Sequence, residues 1–171
     1  MPIRLASLDD ASAIASLLTA NRDFLAPWEP LRDESWFTAD GQRAAIAAAL
    51  ANHEAGTSAP YVVLDDDGAV VGRMTLSGVV RGALQSASLG YWVAEHVNGR
   101  GLATAAVRDI VRIAFDDLGL HRVQADTLLH NAASQRVLER VGFTQYGVAP
   151  SYLRIAGRWQ DCAMWQLLAD G

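Results

Sequence analysis

Two spacings of hydrophobic positions divide this chain, one near 3.6 residues and one of two. Ile3 to Ala6 reads as a short strand. Ser7 and Asp10 then mark a helix start, a capping oxygen followed by an acidic first turn. Ala11, Ile14, Ala15, Leu17 and Leu18 supply its apolar stripe. From Phe24 to Phe37 the pattern breaks, with Pro27, Pro30, Trp28 and Trp36 among charged residues. The prolines predict a loop or broken helix there. The tryptophans fit either a binding wall or a plug at the edge of the core. Asp40 is placed to cap a second helix, Gly41 to about Glu54, which Gly56 closes. Tyr61 to Leu64 alternates as a strand, and Asp65-Asp66-Asp67-Gly68 is a hairpin turn. Ala69 to Val80 and Ser86 to Glu95 are the next two strands.

The second half changes rhythm. A glycine-containing loop, Asn98 to Ala103, opens an amphipathic helix that runs to about Leu118 and stops at Gly119. His121 to Leu128 is a strand, and Asn131 to Val141 a helix ended by Gly142. Phe143 to Ile155 and Trp159 to Leu168 form a closing hairpin around Ala156-Gly157. The order β-α-α-β-β-β-α-β-α-β-β predicts one mixed α/β domain over residues 1–171.

Composition narrows the chemistry. Hydrophobic residues make up 51% and charged residues 19%, a globular balance. The net charge of −5 argues against a nucleic-acid-binding face, which requires a basic one. All 14 basic residues are Arg, which excludes a lysine Schiff base or nucleophile. Cys162, the single cysteine, supports neither a disulfide framework nor a zinc site. His53, His96, His121 and His130 are scattered without metal spacing, so no metal is expected. Met1 to Asp10 lacks a signal-peptide pattern, and the apolar run Ala44 to Ala51 is too short for a bilayer. A cytoplasmic protein with no membrane partner is the expectation.

The most informative segment runs from Tyr91 to Thr104, where a strand ends, two glycines follow and a helix begins. That arrangement aims several backbone N–H groups at one spot beside the positive end of a helix dipole, a cradle for a pyrophosphate. Gly99 and Gly101 let the backbone approach the phosphates, and Arg100 adds a charged donor. Glycine also serves turns for structural reasons alone. The segment lacks the Lys-Ser/Thr of a Walker loop, and its meander context is not that of a dinucleotide-binding βαβ unit.

Asn98 to Ala103 resembles the coenzyme A signature of the GCN5-related N-acetyltransferases (GNAT), Gln/Arg-x-x-Gly-x-Gly/Ala. Asn98 departs from it at the first position, whereas Gly101 and Ala103 fit. Asn131-x-x-Ser134 followed by Val141-Gly142-Phe143 is similar to the family's second cofactor-side helix. Asn21 to Pro30, Arg32 to Ser35, Val79 to Gly82, Leu89-Gly90-Tyr91, Tyr152-Leu153 and Gly157 to Asp161 resemble the ribosomal-protein-alanine acetyltransferases of the RimJ/RimL branch.

The resemblance implies a mostly antiparallel mixed sheet, splayed between its fourth and fifth strands and flanked by helices. It also implies direct acetyl transfer from acetyl-CoA to an amine, most simply the α-amine of a ribosomal or other protein N-terminus. Trp92, Val93 and Ala94 would hold the pantetheine arm and polarise the thioester. Asn98, Gly99, Arg100, Gly101, Leu102, Ala103 and Thr104 would hold the pyrophosphate. Asn131 would be a helix cap, a pantetheine contact or both. Ser134 would stand beside the leaving sulfur, as the serine at this position does in RimL-type enzymes, while Leu138 occupies the position where many other members carry tyrosine; the alternative for Ser134 is a plain helix surface residue. Trp28, Glu29 and Tyr152 would face the acceptor. The branch has a carboxylate base where this chain has Ser151, which leaves Glu29, Glu95 and Asp161 as substitutes by elimination. An α-amine, with an ordinary pKa of about 7.7–8.0, needs less help from a base than a lysine does at about 10.4. A small-molecule amine acetyltransferase and a non-catalytic acyl-CoA-binding module are the competing readings. A monomer and a homodimer are both compatible.

Overall fold

The computed structural model describes residues 1–169, built around a seven-stranded sheet. β1 (Ile3–Leu5), β2 (Ser58–Leu64), β3 (Val70–Val80) and β4 (Ser86–Val93) form one antiparallel run. β5 (Arg122–Leu128), β6 (Thr144–Ile155) and β7 (Arg158–Leu168) form another, in the spatial order β5-β7-β6. A single parallel pair, β4 with β5, joins the two runs.

Helices cover both faces. Ile14 and Leu18 of α1 (Ala11–Ala20) and Ile46 of α3 (Ala39–Glu54) pack against Val62 on one face. Val107 and Ile110 of α4 (Leu102–Arg112) and Leu138 of α5 (Ala132–Val141) pack against Met74, Leu89 and Val123 on the other. α4 carries its buried residues on one stripe, as its sequence spacing predicts. Gly142, at φ +107°, ends α5 and returns the Phe143 N–H to the Leu138 carbonyl at 3.0 Å.

Three local features refine the sequence expectation, and only the first departs from it. α3 begins at Ala39 because the Thr38 hydroxyl, not Asp40, accepts the Gly41 N–H at 3.0 Å. The Pro/Trp segment folds as short helical turns, α2 (Arg22–Leu25), Ala26–Trp28 and Glu34–Phe37. α4 runs on through one wide turn, Ile113–Asp117.

The parallel pair decides where the site lies. Its register runs from Ser86↔Arg122 to Leu89↔Ala125 and goes no further. Gly90 to Val93 on β4 and Asp126 to Leu128 on β5 therefore diverge, and the sheet opens. Among the described residues no helix is long and apolar enough to cross a membrane.

Candidate active site

A cavity of about 460 Å³ fills the opening between β4 and β5. Strand alternation sorts its walls by face. Tyr91 shares the α4/α5 face with Leu89, and Ser134 reaches the gap from the first turn of α5. Trp92 and its cross-strand partner Arg73 share the α1/α3 face, where Arg73 Nη1 donates to Gln42 Oε1 of α3 at 3.3 Å. Asp126 follows Ala125 on β5 and points to that same face. The cavity thus passes through the sheet, with a hydroxyl pair on one side and charged groups on the other.

Local sequence explains the hydroxyl side. Asn131 caps α5 by accepting the Ser134 N–H at 3.2 Å, which fixes the first turn and the direction of Ser134. The Ser134 hydroxyl meets the Tyr91 hydroxyl at 2.9 Å. Burial pushes the Tyr91 pKa up to about 12, against the opposing pull of its hydrogen bond to Ser134. At neutral pH Tyr91 is therefore a neutral phenol with a proton to donate.

The backbone of β4 is sorted the same way. In an antiparallel ladder alternate residues turn both backbone polar groups toward the partner strand. Ala94 N–H donates to the Val71 carbonyl at 2.8 Å, and Trp92 pairs with Arg73. Trp92 and Ala94 thus spend their backbone groups on β3. Those of Tyr91 and Val93 face the gap, beyond the last β4–β5 rung.

The loop between β4 and α4 is ready for an anion. Gly99 and Gly101 take φ of +76° and +80°. Gly101 is the N-cap of α4 and no side chain caps that end, which leaves the first-turn N–H groups near Leu102, Ala103 and Thr104 to another acceptor. Asn98, Gly99, Arg100 and Gly101 are exposed, in keeping with a surface cradle. Added atoms at Gly101 would meet open space, so substitution acts through the backbone angle alone. A Gly101→Ala variant is expected to weaken acetyl-CoA binding by about tenfold, since a left-handed angle costs a non-glycine residue about 1–2 kcal/mol; isothermal titration with acetyl-CoA measures it.

On the other face Trp28 and Glu29 line the cavity, with Trp28 stacked at 5.2 Å on His130. The Glu29 carbonyl accepts the Ala156 N–H at 2.9 Å, which pins the segment to the β6–β7 turn. Burial raises the Glu29 carboxyl pKa, opposed by Arg32 and Arg73. Trp36 also lines the cavity, with the Arg32 guanidinium 4.1 Å above its ring. Tyr152 does not line it; its neighbour Leu153 does, and Tyr152 is 44% exposed.

Two of the three carboxylates reached by elimination lie outside the cavity. Asp161 accepts the Ser151 N–H at 2.8 Å and supports a bulge where Ser151 has φ +47°. Glu95 is exposed in the turn after β4, and its backbone N–H is held by the buried Asn21 at 2.8 Å. The carboxylate that sequence reasoning missed is Asp126, whose pKa burial raises. Cys162 is fully buried against Leu128 and Ile155, and burial raises its thiol pKa, as befits a packing residue. Among the described residues no group of three His, Cys, Asp or Glu is placed to hold a metal.

Residues 2–144 match the acetyltransferase (GNAT) domain family. The chain belongs to that family and is an N-acetyltransferase of the acetyl-CoA-dependent kind. It is 34% identical over 160 residues to the [ribosomal protein uS5]-alanine N-acetyltransferase of Escherichia coli, covering 93% of this chain and 82% of that one. RimJ of Mycobacterium smegmatis, solved in complex with CoA-disulfide, superposes with a TM-score of 0.94 at 33% identity, over 98% of this chain and 81% of its own. The ribosomal-protein-S5-alanine acetyltransferase of Vibrio fischeri gives 0.93 at 30% identity, over 98% and 92%.

Proposed function

We propose that this enzyme acetylates the α-amine of a protein N-terminus, a ribosomal protein being the acceptor that its relatives suggest. The observation that carries the reading is the cavity through the sheet, which presents hydroxyl donors to one reactant and carboxylates to the other. The relatives' named activities support the choice of an α-amine.

Acetyl-CoA supplies an acetyl group on sulfur that an uncharged amine takes directly, leaving the free thiol. The uncapped first turn of α4, with Asn98 to Thr104, binds its pyrophosphate. The gap-facing backbone groups of Tyr91 and Val93 orient the arm and donate to the carbonyl. Ser134 Oγ gives its proton to the departing sulfur as the Tyr91 hydroxyl, 2.9 Å away, passes one to Ser134 and is itself reprotonated from solvent, to which Asp126 returns the amine's proton. Asp126 accepts the proton that the amine sheds, directly or through one water. Its burial places its affinity for a proton above that of an exposed carboxylate, closer to that of the amine it serves.

Peptides beginning with Ala or Ser, mixed with enzyme and acetyl-CoA, are expected to release free thiol and gain one acetyl group at the α-amine by mass spectrometry. The enzyme has no lysine, so the protein itself adds no ε-amine background. Thiol release with small amines but with no peptide overturns the reading.

A further inference from the structure

The charged end of the cavity holds more donors than acceptors. Among the described residues Arg73 is held only by the neutral Gln42 amide, whose own Nε2 is anchored on the Trp36 carbonyl at 2.6 Å. The Arg32 guanidinium carbon sits over the Trp36 ring. The Trp36 Nε1–H is buried without a hydrogen-bond partner among the described residues. Both arginines pull the Glu29 pKa down, and Glu29 in turn favours the charged form of Arg73, yet no carboxylate comes within 4.0 Å of either arginine among the described residues. Two guanidinium groups thus share one distant carboxylate in a partly enclosed cavity. Burial and the charge of Arg32 both push the Arg73 pKa down, the mark of a cation that lacks a close counter-ion.

We propose that Arg73, with Arg32 beside it, forms an anion subsite that selects acceptor peptides bearing an acidic side chain at their second or third residue. This specificity rests on the N-terminal acetylation reading and narrows its substrate class. The spacing follows from the sheet. Arg73 pairs with Trp92 across β3–β4, and Asp126 is the residue that follows the last β4–β5 rung, Leu89↔Ala125. Strands about 4.8 Å apart and a rise of about 3.3 Å per residue set the two α-carbons at least roughly 12 Å from one another, and the divergence of β4 from β5 widens that distance. An extended peptide covers about 3.3–3.6 Å per residue. With its α-amine at Asp126, its second or third side chain comes within reach of the long Arg73 side chain. A planar guanidinium suits a carboxylate because two parallel N–H groups meet two oxygens.

The test compares matched peptides that begin Ala-Glu, Ala-Gln and Ala-Lys, and a second set with the same exchange at residue three. The wild-type enzyme is expected to favour Glu over Gln by about tenfold in kcat/KM at one of these positions, the scale of one charge-assisted hydrogen bond. In Arg73→Gln that ratio falls toward one, in Arg73→Glu the preference turns to the Lys peptide, and in Arg32→Gln it is reduced. A ratio of rates on one preparation is insensitive to partial loss of folded protein. Equal rates for Glu and Gln peptides in the wild type overturn the subsite, as does a preference that survives Arg73→Gln. Free aspartate or glutamate acetylated in place of every peptide assigns the arginines to an α-carboxylate and overturns both this inference and the peptide reading. Peptides acetylated without any charge preference overturn the subsite alone.

Discussion

Ser134→Ala is expected to lower kcat by about a hundredfold while leaving the dissociation constant for acetyl-CoA nearly unchanged, in the range typical of a lost general acid. The split follows from what the hydroxyl touches. Its partners are the Tyr91 hydroxyl and, through the backbone, the cap of α5; the cradle proposed for the pyrophosphate lies at a different helix. A proton donor for the departing sulfur acts only as the bond breaks, so its loss appears in turnover and not in binding. Tyr91→Phe should show a smaller fall, since Ser134 keeps its own proton and loses only the relay. Steady-state kinetics paired with isothermal titration separates the two quantities. A Ser134→Ala enzyme within about threefold of wild-type kcat would remove the residue from the chemistry and leave it a helix residue with a packing role.

Asp126→Asn should slow the enzyme by about a hundredfold near neutral pH and at the same time raise its melting temperature. Burial raises the Asp126 pKa above its unfolded value, so the ionised carboxylate costs the folded state free energy at neutral pH. Stability from this group is fully present below the ordinary carboxylate pKa and is lost as pH rises through the raised one. Asparagine cannot ionise and avoids that loss. The melting-temperature gap between variant and wild type should therefore shrink as the pH is lowered through the carboxylate range. The wild-type kcat/KM should rise with pH through the same group, and that limb should vanish in the variant. Calorimetry from pH 4 to 8 alongside rate measurements reads both. An unchanged rate profile with the stability gain intact would assign the base elsewhere in the cavity, with Glu29 the next carboxylate in its wall.

The parts of this protein that speak locally are legible in its sequence. The Asp65 to Gly68 turn, the glycine stops at Gly119 and Gly142 and the loop from Asn98 to Thr104 each state their conformation within a few residues. Their order then leads to the layered sheet. Asn131 and Ser134 are legible for the same reason, since a cap and the residue it fixes are three positions apart. Asp126 is not legible, because in β5 it stands in ordinary alternation with Ala125 and Thr127, as a solvent-facing residue does. Only the end of β4–β5 pairing at Leu89↔Ala125 turns its outward position into a cavity wall. Tyr91 and Arg73 are hidden in the same way, by partners 43 and 31 positions distant in the chain. The helix start at Thr38 was open to a closer reading, because threonine before an Ala-Asp-Gly turn is as good a cap as the Asp40 that follows it. Asp161 shows the converse, a carboxylate in a promising motif that is occupied in supporting a strained backbone turn.

Among the described residues, four rungs of parallel pairing are the only strand-to-strand seam between the first four strands and the last three. Beyond them the sheet stops short of completing itself, and whatever lies along Tyr91 and Val93 takes the place of the missing edge. A pantetheine arm bound there, as proposed above, would be a substitute strand, contributing hydrogen bonds that the polypeptide leaves unmade. With the arm so placed, occupancy and stiffness would become one variable, because the ligand that carries the acetyl group would also splice the two half-sheets together. An acceptor amine arriving on the opposite face would then meet a wall that is whole only while its reaction partner is in place.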